Sequence, residues 1–506
     1  MSKIKSALIS TYYKDGLESI VTKLHQLGVQ IFSTGGTQEF VESLRIPVFR
    51  VEDLTGYPSI LDGRVKTLHP KVFGGILAKR SDEHLNQLSK FDIPMFDLVI
   101  VDLYPFEETV ATTELEEKII EKIDIGGIAL IRAAAKNFKD VVIIPSKEYY
   151  SNLHEILDSD DGISTEEQRR FLAGRAFAVS SKYDSAIFRY FSAGLTNNSL
   201  RIAYDNGDAL RYGENPHQKA YFYGNSTDVF EKLSGKELSY NNIVDIDAAI
   251  QLIAEFENSD PTFAIIKHTN ACGIATRNNV IDAWKSALAG DPVSAFGGII
   301  ICNTELNAET ARQINELFYE VLIAPSFSDE ALELLTSKQK RSILRLKTFN
   351  IADKSIKSAL NGVLVQDCDK ASDESTNFKV MTLAQPTVDE ISDLQFALKC
   401  VKHLKSNAIV LVKNHQLLGM GCGQTSRVDA CLQAISKAKN FSFDLNGAVM
   451  ASDAFFPFPD CVELVQKEGI RSVIQPGGSV KDQLSIDYCN TNGMSMVFTG
   501  IRHFKH

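Results

Sequence analysis

The residues best suited to chemistry stand at the end of an apolar run. In TFAIIKHTNACG, Thr262 to Gly273, a β-branched stretch long enough for a buried strand stops at Lys267 and His268, and a Cys-Gly turn follows. A lysine supplies a charge or a proton, and a histidine exchanges a proton near neutral pH. Side chains alternate along a strand, so Lys267 and His268 point to opposite sides while the loop TNACG brings backbone close to both. A strand-end histidine is often only structural. The carboxyl end of a buried strand is nonetheless where α/β proteins carry their chemistry.

Other stretches gather anion-binding groups. STGGT, Ser33 to Thr37, follows the apolar VQIF and precedes a helical pattern. Gly35 and Gly36 allow close backbone approach, Ser33, Thr34 and Thr37 add hydroxyls, and the helix start adds a positive dipole end. The same five residues also suit a plain strand-to-helix turn. GRVKTLHP, Gly63 to Pro70, brings Arg64, Lys66, Thr67 and His69 together, and with STGGT it favours a phosphate site. Tyr104 in DLYPF, Asp124 in DIGG and Lys136 in RAAAKN follow; Arg132 and Lys136 share a helix face, which surface charge alone would explain. LRYGENPHQ, Leu210 to Gln218, carries Arg211, Tyr212, Asn215, His217 and Gln218, more hydrogen-bonding side chains than a turn needs.

Elements that could position these groups alternate along the chain. SALIS, VQIFST, PVFRV, FDLVIVDLYPF and DVVIIPS read as strands between amphipathic helices such as GLESIVTKLHQLG, which predicts a parallel sheet covered on both faces. The polar, Gly/Asn-rich SAGLTNNSL puts a domain boundary near residue 198. Beyond it, a helix, a polar-ended strand, a glycine loop, a helix and an Asp-plus-Phe segment occur twice, through VDIDAAIQLIAEF and TFAIIKH, then SDLQFALKCVKHL and SNAIVLVKN. Duplicated α/β subdomains are expected.

At 506 residues the chain exceeds one ordinary core, so two to four domains are expected. A composition of 44% hydrophobic and 23% charged residues is that of a globular protein, and a net charge of −11 argues against a nucleic-acid footprint. The start MSKIKSALIS fits no signal peptide, and no run reaches the roughly 20 apolar residues of a membrane span, so a cytoplasmic location is expected. All eight cysteines lie at or after Cys272 without a CxxC pair, which points to scattered thiols and no structural zinc.

Together STGGT, GRVKTLHP, RAAAKN, LRYGENPHQ, KHTNACG, SDAFFPF and the ending RHFKH resemble the bifunctional purine-biosynthesis family that joins phosphoribosylaminoimidazolecarboxamide formyltransferase to IMP cyclohydrolase. The resemblance implies a methylglyoxal-synthase-like parallel α/β domain over 1–198. It implies two cytidine-deaminase-like α/β subdomains without zinc, about 199–385 and 386–506, since an H-x-E and P-C-x-x-C signature is missing. The implied reactions are formyl transfer from 10-formyltetrahydrofolate to aminoimidazole carboxamide ribonucleotide (AICAR), then dehydrative closure to IMP. By resemblance His268 is the base and Lys267 the acid or electrostatic partner. Arg211, Tyr212, Asn407, Arg427, Phe455, Arg502 and Phe504 hold the nucleotide, and Glu320 stands near the folate. Lys66, Thr67, Tyr104, Asp124 and Lys136 line the cyclohydrolase site, with Ser33 to Thr37 and Arg64 toward the phosphate. The family also implies a homodimer and needs no metal for catalysis, although backbone carbonyls could hold a monovalent cation.

Two positions depart from the family pattern. Asp102 stands where Asn-Leu-Tyr-Pro is usual, and Phe138 where Ala-Lys-Asn-His is usual. Asp102 cannot donate an amide N–H, and its charge could perturb lysines. This leaves open a transferase with a silent, regulatory first domain. A nonenzymatic nucleotide or folate sensor is a third reading, against which the Lys267–His268 pair argues.

Overall fold

The computed structural model describes residues 2–58, 60–61, 65–159, 161–194, 199–204, 207–350, 352–372 and 375–506. The chain forms two compact units, 1–206 and 207–506. The boundary expected near residue 198 falls on 195–198, outside the described residues.

In the first unit five strands pair in parallel: β1 (Ser6–Thr11), β2 (Gln30–Ser33), β3 (Phe49–Arg50), β4 (Leu98–Asp102) and β5 (Val142–Ile144), in the order β3-β2-β1-β4-β5. Every residue of β4 is buried, as a strand covered on both faces requires. Helix α1 (Leu17–Gln26) buries Leu17, Ile20, Val21 and Leu24, one face at helical spacing. Helices α2 (Gly35–Ser43), α3 (Ile125–Lys136) and α4 (Glu166–Ser192) follow. The small residues Ala133, Ala134 and Ala135 bury one side of α3, and α4 packs on that helix. The chain leaves β1 toward β3 and returns to β4 on the other side. A crevice is therefore expected at the carboxyl ends of β1 and β4.

The second unit holds one sheet of twelve strands. They are β6 (Phe230–Ser234), β7 (Thr262–Lys267), β8 (Asn270–Thr276), β9 (Ile299–Cys302), β10 (Val321–Ala324), β11 (Ser342–Leu346), β12 (Lys379–Val380), β13 (Ile409–Lys413), β14 (Gln416–Gly421), β15 (Val449–Ser452), β16 (Ser472–Gln475) and β17 (Ser495–Phe498). Their order, β6-β11-β10-β9-β7-β8-β14-β13-β15-β16-β17-β12, reads the same from either edge in structural role. The halves join where Ala275 of β8 pairs with Gln416 of β14. Helices α5 (Tyr240–Ala254) and α7 (Val388–Lys402) share a single core on one face of the sheet. Helices α6 (Val280–Ala289) and α8 (Arg427–Asn440) cover the other face over two separate cores.

The duplication extends to irregular detail. β7–β8 and β13–β14 are antiparallel hairpins whose register shifts at Ile265/Ile266 and at Leu411/Val412. Two-residue turns close them, His268-Thr269 with φ of 54° and 63° and Asn414-His415 with φ of 52° and 50°. Two consecutive left-handed residues match the twist of the flanking strands. This corrects the sequence reading at one point: TNACG is not a loop, because Asn270 to Gly273 already belong to β8. β7 runs antiparallel to both its neighbours.

Each hairpin has a glycine where a helix presses on the second strand. A Cβ at Gly273 would sit 1.9 Å from the Ala287 carbonyl oxygen, and one at Gly419 2.2 Å from that of Ala434. Gly273→Ala should therefore force α6 off the sheet and cost about 1–3 kcal/mol, read as a lowered midpoint in thermal unfolding, whereas Gly28→Ala meets no atom within 4 Å and is limited to its left-handed backbone cost.

Candidate functional site

In the first unit four sequence stretches meet near the carboxyl ends of the strands. Ser33 ends β2, and Thr34 precedes the first turn of α2, which has no side-chain cap. The three hydroxyls of STGGT are already engaged. Ser33 donates to the Ile9 carbonyl at 2.8 Å, Thr34 to Glu52 Oε1 at 2.6 Å, and Thr37 to the Thr11 carbonyl at 2.9 Å. They fix the turn, so the donors left for an anion are the backbone N–H groups at the start of α2. Lys66 lies over them: a Cβ on Gly35 would meet its Nζ at 3.1 Å. Gly36 faces open space. Arg64 lies outside the described residues.

Thr67 is buried, and its Oγ1 sits 3.1 Å from a Cβ placed on Gly126, in the first turn of α3. Asp124 caps that helix, its Oδ1 accepting from Gly127 N at 2.6 Å. Burial raises its carboxyl above the ordinary aspartate range, while hydrogen bonds from Gly127 and Tyr104 backbone N–H oppose the shift. Tyr104 is exposed, packs edge-on against Tyr12 with centroids 5.4 Å apart, and shares the Lys122 ammonium with it. Burial raises the Tyr104 phenol, and the Asp124 charge raises it further. Lys66, Thr67, Tyr104 and Asp124 thus form one polar cluster.

Lys136 does not join it in the same chain. Asp124 and Lys136 stand at opposite ends of α3, and twelve residues at the helical rise separate their Cα atoms by about 18 Å. Lys136 instead lines a separate recess with Leu77, Arg132, Phe138, Arg170 and Phe177. Within one chain, Lys136 and Asp124 therefore face different recesses. The two unusual residues also have structural uses. Asp102 accepts from Tyr13 N at 3.0 Å, a task that needs no donor, and the Arg170 guanidinium lies 4.9 Å over the Phe138 ring.

In the second unit Asp245 organises the β7–β8 turn. From α5 its Oδ2 accepts from His268 N at 3.2 Å and its Oδ1 from Thr269 N at 2.7 Å. Burial raises this carboxyl, and the attraction of His268 and Lys405 opposes the shift. His268 is exposed, and among the described residues its ring has no hydrogen-bond partner. Lys267 donates to the Phe296 carbonyl at 2.9 Å, which leaves two ammonium protons. Tyr240 N binds the Tyr212 carbonyl at 3.2 Å, five residues before Asp245 on the same helix, so Arg211 and Tyr212 lie near the turn. The Arg211 guanidinium stacks 4.7 Å from the Tyr212 ring.

Across the halves, Cys422 Sγ lies 3.5 Å from Asn270 Oδ1, in the segment that leads to Arg427. Arg427 is buried and donates to Ser452 Oγ at 2.7 Å, to Asp453 Oδ1, and to Asn407 Oδ1 at 2.8 Å. Asp453 Oδ2 is buried with no partner among the described residues. The terminal RHFKH runs beside them, with Ser406 N on the Lys505 carbonyl at 2.9 Å and His503 N on the Asp453 carbonyl at 3.0 Å. Arg502 lies 4.4 Å over Phe504, and Phe455 and Phe504 are both exposed. Glu320 stands two strands from Lys267 at the same end of the sheet, but Lys236 holds its carboxylate at 2.6 Å.

A family model described as the AICARFT/IMPCHase bienzyme matches residues 134–437, and one described as an MGS-like domain matches residues 16–129. The chain belongs to the AICARFT/IMPCHase bienzyme family. A relative called bifunctional purine biosynthesis protein PurH, from Bacteroides thetaiotaomicron, is 58% identical over 505 residues, covering 100% of this chain and 99% of its own. Another of that name, from Caldicellulosiruptor saccharolyticus, is 46% identical over 519 residues, covering 99% and 100%. The solved chain titled "Crystal structure of ForH" is 32% identical, covers 37% of this chain and 99% of its own, and superposes with a TM-score of only 0.33.

This family member also uses residues that the sequence reading passed over. Asp245 and Asp393 are the main ones: Asp393 accepts from Asn414 N at 2.8 Å and His415 N at 2.7 Å, as Asp245 does at the first turn. Aligning VDIDAAI with SDLQFAL puts both at the same repeat position, so the signal was present. Glu52 and Thr11 gave none, because each acts through contacts distant in sequence.

Asp124 separates two effects by substitution. Asn keeps an oxygen for the cap and removes the buried charge, so at neutral pH Asp124→Asn should unfold at or slightly above the wild-type temperature. Because the folded carboxyl is raised, wild type regains this difference as pH falls, and the two should coincide below about 3.8. Asp124→Ala should lose about 1 kcal/mol with the cap.

Proposed function

We propose that the two units divide the last two steps of IMP synthesis, the second transferring a formyl group from 10-formyltetrahydrofolate to AICAR and the first closing the ring. The observation that carries this reading is the exposed His268 ring on a turn clamped by Asp245, beside Lys267 and in a chain of this bienzyme family. The silent-domain alternative is not favoured, since the clustered groups of the first unit persist and Asp102 and Phe138 have structural uses.

The AICAR amine is a poor nucleophile because its lone pair delocalises into the imidazole and carboxamide. His268 takes its proton as the nitrogen attacks the formyl carbon. Lys267 stabilises the oxyanion or delivers a proton to the departing folate nitrogen. Arg427 and Asn407, fixed to each other, present a rigid edge to the nucleotide, while Phe455 and Phe504 offer faces to its ring. Arg502, Arg211 and Tyr212 bind its polar groups, and Glu320 faces the folate only if Lys236 releases it.

Ring closure needs orientation more than a cofactor. The start of α2 and Lys66 hold the 5′-phosphate, with Arg64 assigned there from the sequence. Thr67 and the first turn of α3 receive charge on the formyl oxygen, Tyr104 positions the base, and Asp124 handles the proton. A homodimer, a cytoplasmic location and a monovalent cation complete the proposal; the unpartnered Asp453 Oδ2 offers an oxygen to such a cation. Among the described residues no group of three or more His, Cys, Asp or Glu side chains is arranged to hold a metal, and no helix is long and apolar enough to cross a membrane.

Purified protein given AICAR and 10-formyltetrahydrofolate should release tetrahydrofolate and IMP, followed separately. His268→Ala should slow the first by about 10² to 10⁴ and leave closure of supplied formyl-AICAR intact; loss of neither or both would overturn the assignment. Lys136→Ala tests that residue's place. Closure at the wild-type rate would remove it from the site, and slowed closure would require a second copy to bring it there.

A further inference from the structure

The last five residues form an extended strap with alternating burial: Arg502 out, His503 in, Phe504 out, Lys505 partly in, His506 out. That is the period of an extended strand, whose alternate side chains face opposite ways. Arg502 and Phe504 share the outward face and stack on each other. What holds the strap must act from its inward face.

On the inward face, His503 is an anchor. His503 is 2% exposed, and its Nδ1 lies 2.6 Å from Asp369 Oδ2. An ionised aspartate only accepts, so Nδ1 carries the proton and donates. Burial would raise the Asp369 carboxyl, but the His503 contact outweighs it and holds the group below the ordinary aspartate range. Asp369 Oδ1 also accepts from Ala371 N at 3.2 Å, and the Ala371 carbonyl takes the buried Lys402 Nζ at 3.0 Å. Lys402 in turn meets Glu255 Oε1 at 2.7 Å, where His403 Nε2 also lies at 3.1 Å. The strap is therefore tied, through Asp369, to the ends of α5 and α7, the two helices that share one core beneath both halves.

Main-chain bonds to Ser406 and Asp453 hold the strap beside Arg427 and Asn407. Backbone bonds alone specify register weakly, because a slip of one residue re-forms them while turning every side chain to the other face. A buried side chain bonded to a fixed acceptor does specify it.

We propose that the Asp369–His503 pair is a positioning device: it locks the register of the terminal strap and so fixes Arg502 and Phe504 toward the nucleotide of the formyl-transfer site. Neither residue touches the reacting atoms. The inference rests on the reading above that Arg502 and Phe504 bind the nucleotide, and it adds a cause for their orientation.

The test uses the full chain, with the thermal unfolding midpoint as a check on folding and Arg502→Ala as a reference for nucleotide contact. His503→Ala and Asp369→Ala should each raise KM for AICAR in formyl transfer about tenfold. Their kcat should stay within about threefold, since ground-state placement and not the chemical step is altered. His503→Asn, whose amide N–H replaces Nδ1–H, should recover most of the loss, and the double alanine variant should be no worse than the worse single one. Because Asp369 is half-exposed, its substitution also guards against a His503 variant that misfolds. If Arg502→Ala raises KM while Asp369→Ala leaves it within about twofold, the positioning role is wrong and the nucleotide assignment stands. If Arg502→Ala and Phe504→Ala have no effect on KM, both fall. Independent effects of the two alanines that multiply in the double variant would also overturn the pairing.

Discussion

One carboxylate holding two neighbouring backbone N–H groups is the contact on which the second unit depends. Asp245 does this for His268 and Thr269, and Asp393 repeats it for Asn414 and His415. Each turn places two non-glycine residues at positive φ, where a residue with a Cβ is disfavoured. A charge-assisted pair of hydrogen bonds offsets that strain and fixes the turn against the helix carrying the aspartate. The first turn then projects an exposed imidazole that has no hydrogen-bond partner among the described residues. In the second, the equivalent chemistry is absent: Asn414 occupies the position of His268, and His415 is bound to Ser392 Oγ at 2.7 Å and stacked on Phe396.

The same economy of backbone and charge appears in the first unit. In the proposed phosphate site the donors are main-chain N–H groups at the start of α2 beside Lys66, and the hydroxyls that look like ligands in STGGT keep those donors in place. A chain with net charge −11 can bind phosphate in this way because the field is local. In the second unit, the buried Arg427 is matched by Asp453 and Asn407, so its direction is set before any ligand arrives.

Much of the fold was legible because periodicity reports it. The alternation of apolar runs and amphipathic helices gave the parallel five-stranded sheet, and the repeated order of elements anticipated two matching halves. The hairpin was misread because KHTNACG mixes turn formers with small apolar residues: Gly273 looks like a turn but is in β8 because α6 presses on it. The spacing of Asp124 and Lys136 along the chain, one before and one at the end of the helix GIALIRAAAKN, made their separation legible. Contacts such as Asp369 with His503, 134 residues apart, leave no local pattern.

The most direct test of the account exchanges the two turns' central residues. In the variant His268→Asn with Thr269→His, the first hairpin receives the sequence of the second, which already supports the same left-handed turn under an aspartate clamp. The account predicts a folded protein that closes formyl-AICAR to IMP at the wild-type rate and has lost formyl transfer by about 10² or more. Formyl transfer close to wild type in that variant would show that the reacting proton is handled elsewhere, and would contradict the assignment of the first hairpin as the seat of the chemistry.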